Sequence, residues 1–114
     1  MARASAQLPS TVVVVGGAAT VPLWNPTSQP VRVTVALHYG GLGCEEWALV
    51  TRAVFLLAPS GTMSLRITVH RAVPAGTVMS LCATLTPVAA DGLPAVARLA
   101  FERRLPVTKV LVLR

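Results

Sequence analysis

Aromatic side chains are scarce in this chain, at 4% of its 114 residues, and charged ones reach only 12%, about half the share usual in soluble domains. So few rings make a poor platform for stacking sugars. Acids are limited to Glu45, Glu46, Asp91 and Glu102. Glu45 and Glu46 are adjacent, so on a strand they point to opposite faces and cannot work as a carboxylate pair. The remaining site-forming residues are His38, His70, Cys44 and Cys82. No two of these have the short spacing of a zinc motif, and no Cys–His signature accompanies them. Gly40-Gly41-Leu42-Gly43 precedes a strand rather than a helix, which excludes a phosphate loop. These absences predict a protein that is not an enzyme and takes no cofactor, metal or small-molecule substrate. No apolar run approaches the ~18 residues of a membrane span. The stretch Met1 to Pro9 carries one positive charge without the apolar core of a signal peptide, so a soluble chain without an export signal is expected.

What is abundant is Val, Leu and Ala, within an apolar content of 54%. A surface this poor in charge suits a protein that buries part of its exterior against neighbours. A GC-rich genome, which favours the same residues, would give a similar composition. The net charge is +6, from Arg3, Arg32, Arg52, Arg66, Arg71, Arg98, Arg103, Arg104, Lys109 and Arg114. That excess suits an anionic partner surface. Only Arg103 and Arg104 are adjacent, and no aromatic-interleaved basic run stands out, which disfavours nucleic-acid reading. Cys44 lies in the glycine-rich turn and Trp47 follows it. This is not the antibody arrangement of bridged strands with a tryptophan between them. Free thiols are therefore expected, as in a reducing compartment, although pairing stays open.

The periodicity is that of strands. Val31, Val33, Val35, Leu37 and Tyr39 alternate with Arg32, Thr34, Ala36 and His38, and Met63, Leu65, Ile67 and Val69 alternate with Thr62, Ser64, Arg66 and Thr68. This places His38 on the polar face of its strand. Strands are predicted at 11–15, 18–24, 31–39, 46–57 (two strands meeting at a bend), 62–70, 77–86, 95–102 and 107–113. Turn chemistry separates them at Asn25–Pro30, Ala58–Gly61, Val73–Gly76 and Ala90–Pro94. The rhythm predicts an all-β, immunoglobulin-like antiparallel β-sandwich of about 7–8 strands. It forms a single domain over 11–114, preceded by an N-terminal arm, 1–10.

Three segments resemble immunoglobulin-like modules of the bacterial and phage type. Val21-Pro-Leu-Trp-Asn25-Pro-Thr-Ser-Gln-Pro30-Val-Arg-Val33 is similar to their first hairpin. Phe55-Leu-Leu-Ala-Pro59-Ser-Gly61-Thr-Met-Ser-Leu-Arg-Ile67-Thr-Val69 is similar to the strand–turn–strand unit midway. Pro74-Ala-Gly76-Thr-Val-Met-Ser-Leu81 is similar to the lead-in to the penultimate long strand. The chain departs by lacking the Tyr or Phe usual after Pro-Ala-Gly and by adding a strand at 107–113. The resemblance implies a fold and says little of function.

Binding is therefore expected at the two ends of the chain and at sheet edges. The candidate contact residues are Arg3, Leu8, Trp24, Arg103, Arg104, Lys109 and Arg114. Trp24 lies beside the Asn25–Pro26 turn at the rim, while Trp47, flanked by Leu49 and Val50, is the core candidate. The apolar segment 105–114 either closes its own sheet as a central strand or adds to a neighbour's sheet. The leading expectation is a virion protein, a phage capsid-decoration or accessory subunit assembled in the host cytoplasm, whose partners are copies of itself or a shell protein. The alternative is an immunoglobulin-like binding module of a bacterial surface or periplasmic system, adhesin-like or pilus-chaperone-like.

Overall fold

In the computed structural model, residues 10–40, 43–45 and 48–113 are described. They form an all-β, immunoglobulin-like sandwich. Its strands are β1 (Thr11–Val14), β2 (Ala18–Trp24), β3 (Val31–Tyr39), β4 (Leu49–Leu57), β5 (Thr62–Thr68), β6 (Val78–Pro87), β7 (Arg103–Arg104) and β8 (Thr108–Val112), with one short helix, α1 (Ala95–Arg98). The large sheet has the order β1-β8-β6-β3-β4, with β7 also on β6, and the small sheet is β2-β5 alone. All pairings between these strands are antiparallel except β1 with β8, which is parallel.

The core lies between the sheets and is built from the inward half of each alternation. Val31, Val33, Val35 and Leu37 of β3 face Val21 and Leu23 of β2 and Ile67 of β5, and β6 and β8 add Met79, Leu81, Leu85, Val110 and Val112. Branched side chains suit this pleated, half-buried surface. At Gly16 and Gly17 the chain passes from the large sheet to the small one. Both residues have positive φ, at 69° and 82°, which is the tight turn that glycine alone adopts without strain.

Several expectations need correction. The segment Val21–Val33 is not a hairpin, and the two strands of the Phe55–Val69 unit do not pair with each other, because β2 pairs with β5 while β3 pairs with β4 and β6. Each carries the chain across from one sheet to the other. The stretch 46–57 yields one strand, β4, whose register against β3 slips where His38 meets Leu49. No strand forms over 95–102. Val88–Ala90 and Leu99–Phe101 are 3₁₀ turns and α1 lies between them, started by Pro94 and rich in alanine. Pro94 cannot serve a sheet ladder and pre-sets a helical start, and the free side of β6 is already occupied by β7 and β8. The C-terminal strand is central: β8 is paired on both sides, with Thr108, Val110 and Val112 buried and Lys109 exposed.

The cysteines are not free thiols. Cys44 and Cys82 form a disulfide, with Cα atoms 6.1 Å apart. Strand register explains the meeting, since Cys82 sits opposite Ala36 on the outer face of the large sheet, and Cys44, in the described part of the β3–β4 connection, reaches that face. Two further contacts hold this connection. Ser80 Oγ donates to the Gly40 carbonyl at 2.6 Å, and His38 Nδ1 lies 2.7 Å from the Glu45 carbonyl. A carbonyl only accepts, so Nδ1 carries the proton. The covering loop leaves His38 only 3% exposed, although its strand position belongs to the polar face.

Candidate partner-binding site

The opposite pole of the sandwich is fastened by one buried polar residue. Asn25 is fully buried. Its Nδ2 donates to the Gln29 carbonyl at 2.8 Å and the Ala58 carbonyl at 3.0 Å, and its Oδ1 accepts from the Thr27 N–H and hydroxyl at 2.9 and 2.7 Å. The bonds to Thr27 and Gln29 shape its own turn, an expected role for Asn. The bond to Ala58 ties that crossover to the next, where Gly61 N–H donates to the Ala58 carbonyl at 2.9 Å. A side chain at Gly61 would meet the same carbonyl oxygen at 2.9 Å.

The sides differ in how they are protected. An open strand edge invites pairing with other chains, and natural sheets guard against it with short strands, proline, charge or bulges. On one side, β1 has only four residues, and β2 carries Pro22 at mid-strand, where an edge position makes proline tolerable. On the other side, β4 runs for nine residues and β5 for seven with no proline in either. Their charged residues are Arg52 and Arg66. β4 leaves Val50, Val54 and Leu56 exposed, Leu56 by 66%.

Between β4 and β5 the sandwich is open. A slot of about 160 Å³ enters it, lined by the inward residues Val35, Leu37, Thr51, Ala53, Leu65 and Leu81, with Arg66 at its β5 side. Two strands cannot cover a sheet of six, so the inward positions Thr51 and Ala53 of β4 remain exposed, and Phe55, Met63 and Leu65 are half-buried.

The outer face of the large sheet carries a second, shallower groove of about 400 Å³. Its floor includes Thr34, Ala36, Cys82 and Thr84, with Arg52 on one wall and Arg104 on the other. Farther along this face, Arg32 binds Asp91 through both nitrogen–oxygen pairs, Nε to Oδ1 at 3.3 Å. The hydrogen bonds from Arg32 hold the Asp91 carboxyl below its ordinary range against an opposing effect of desolvation, and its charge and that of Arg98 add to the lowering. The same pair raises Arg32. Beyond it, the α1 segment displays Val96, Leu99 and Phe101, which are 83%, 61% and 52% exposed.

The expected contact residues do not form one patch. Arg3, Leu8 and Arg114 lie outside the described residues, as do Trp47 and nearly all of the expected arm 1–10. Arg104 and Lys109 share the outer face of the large sheet, opposite Thr84 and Ser80 respectively. Arg103 is exposed beside them on β7. Trp24 is half-buried at the end of β2 in the other sheet. The slot escaped the sequence reading, because it depends on how many strands the small sheet holds. Among the described residues no group of three or more His, Cys, Asp and Glu comes together as a metal-ligand set, and no helix is long and apolar enough to cross a membrane.

No family model matches the sequence, and no curated protein matches it by sequence. Solved structures do match the fold. The crystal structure of the Pseudomonas aeruginosa CupB2 chaperone aligns with a TM-score of 0.61 and 17% identity over 90% of this chain. The alignment takes in 50% of the chaperone, so this chain spans half its length. The ASH/PapD-like domain 7 of human CEP192 aligns with a TM-score of 0.52 and 12% identity, over 96% of this chain and 86% of that one. At such identities the likeness concerns the fold alone, an immunoglobulin-like sandwich.

Proposed function

We propose that this chain is a non-enzymatic binding domain that holds partner proteins through its uncovered sheet edges, as a pilus-chaperone-like module of a bacterial surface or periplasmic system. The observation that carries the reading is the unguarded β4–β5 side, on a fold whose solved relatives include a bacterial chaperone. The Cys44–Cys82 disulfide favours an oxidising compartment such as the periplasm. The virion reading gains nothing from these relatives, and the free thiols expected alongside it are bonded. An excess of the oxidised chain, added as a denatured β-rich pilus subunit is diluted into buffer, should suppress light scattering and give a 1:1 complex in native mass spectrometry. Unchanged aggregation with no complex would remove the reading.

A further inference from the structure

The slot between β4 and β5 has the outline of a missing strand. The small sheet ends at β5, whose far edge has no neighbouring strand among the described residues. A third strand laid there would sit over the inward residues Thr51, Ala53 and Phe55 of β4, which are now uncovered or half-covered. The slot's volume, about 160 Å³, falls well below the ~300–1,000 Å³ of small-molecule pockets. It is of a size for individual aliphatic side chains projecting from a backbone. Thr51 and Ala53 are the small residues that leave this space.

The alternation of β5 dictates what such a strand must carry. Met63, Leu65 and Ile67 face inward, while Ser64, Arg66 and Thr68 face out. Residues directly opposite one another on paired strands share a face. The added strand therefore needs aliphatic side chains opposite Leu65 and its inward neighbours. It gains from a carboxylate opposite Arg66, where a like charge would be repelled. A net charge of +6 also favours an acidic segment over a second copy of this chain.

We propose that this slot receives an extended, alternately apolar and acidic segment of a partner protein, which pairs with the free edge of β5 as a third strand of the small sheet. The proposal rests on the holding function above and names the chemistry of what is held. Strand addition of this kind draws affinity from main-chain hydrogen bonds and specificity from the side-chain pockets.

The test uses the full oxidised chain with two synthetic peptides of β5's length, one alternating valine with glutamate and one alternating valine with lysine. The valine–glutamate peptide should bind more tightly and slow amide exchange over Thr62–Thr68 more than over Leu49–Leu57. Ala53→Leu, which fills the slot from an exposed position, should weaken binding by about tenfold. Arg66→Glu, on the outward face, should reverse the preference between the peptides. Circular dichroism and melting confirm that both variants fold. Equal binding of the two peptides, protection confined to β4, or indifference to both substitutions overturns the proposal. So does concentration-dependent protection of β5 without peptide, which would make a second copy the occupant. A chain that holds the denatured pilus subunit but shows none of these peptide effects loses the slot and keeps its function; the converse result leaves the slot and sinks the holding function.

Discussion

Replacing Asn25 by Asp keeps shape and volume but exchanges an amide donor for an oxygen. The Asn25 Nδ2 gives good hydrogen bonds to the carbonyls of Gln29 and Ala58, each worth about 1 kcal/mol net. Their loss sets a floor of about 2 kcal/mol. The ceiling comes from protonation. A carboxylate held among carbonyl oxygens in a fully buried site has its pKa raised. Keeping it neutral at pH 7 costs about 1.4 kcal/mol for each unit above an unfolded pKa of about 3.9, or about 4 kcal/mol. A protonated carboxyl restores only one donor, so the ceiling is about 5 kcal/mol. Against the ~5–15 kcal/mol of a typical domain this is severe. The sign follows from the raised pKa. The folded variant binds the proton more tightly than the unfolded one, so its penalty is smallest below the unfolded pKa and grows as pH rises toward the folded value. Urea denaturation of parent and variant at pH 7 and pH 4 gives the difference at each pH. A penalty under about 0.5 kcal/mol at pH 7, or one that grows on acidification, would refute the role given to Asn25.

Three other outcomes are expected. Reducing the Cys44–Cys82 bond, or replacing both residues by Ser, releases a loop spanning a sequence separation of 38; chain entropy puts the loss near 4 kcal/mol, read as a drop in urea midpoint. Ser60 has a φ of 55°, so Ser60→Gly should relieve left-handed strain and raise stability by up to about 1 kcal/mol, read as a higher melting temperature. The lowered Asp91 pKa contributes stability that is present above the ordinary carboxylate range and lost as pH falls through the folded value. Asp91→Asn should therefore be less stable than the parent at neutral pH, by a small margin for so exposed a pair, with the gap closing in acid; a gap that persists at pH 2 would contradict this.

The sandwich was legible because a two-residue period leaves little else for β3 and β5 to do. The partition of strands between sheets was not. Asn25–Pro30 and Ala58–Gly61 look like ordinary turns locally, and long-range bonds such as those from Asn25 to Ala58 and Gly61 reveal them as adjacent crossovers. The segment 95–102 misled because an apolar run of alanine, valine and leucine suits strand and helix alike, and the decision rests on whether a sheet edge is free. His38 and Cys82 share one cause. Both lie on a face that is polar by period and is covered by a loop whose path no local pattern announces. Of the contact residues, Arg104 falls between the predicted strands yet pairs on β7, and Lys109 is exposed on β8, whereas the slot requires knowing that β5 is the last described strand of its sheet.

Because β8 lies between β1 and β6, a strand distant in sequence from β1 fills an interior position of the large sheet. Until Thr108–Val112 emerges, β1 has no strand to pair with in that sheet, and the apolar faces of Val14 and Met79 lack the Val110 and Val112 that flank them. Pairing across such sequence distances is slow and leaves unpaired strands open to aggregation in the meantime. The large sheet is thus complete only once β8 has inserted between β1 and β6.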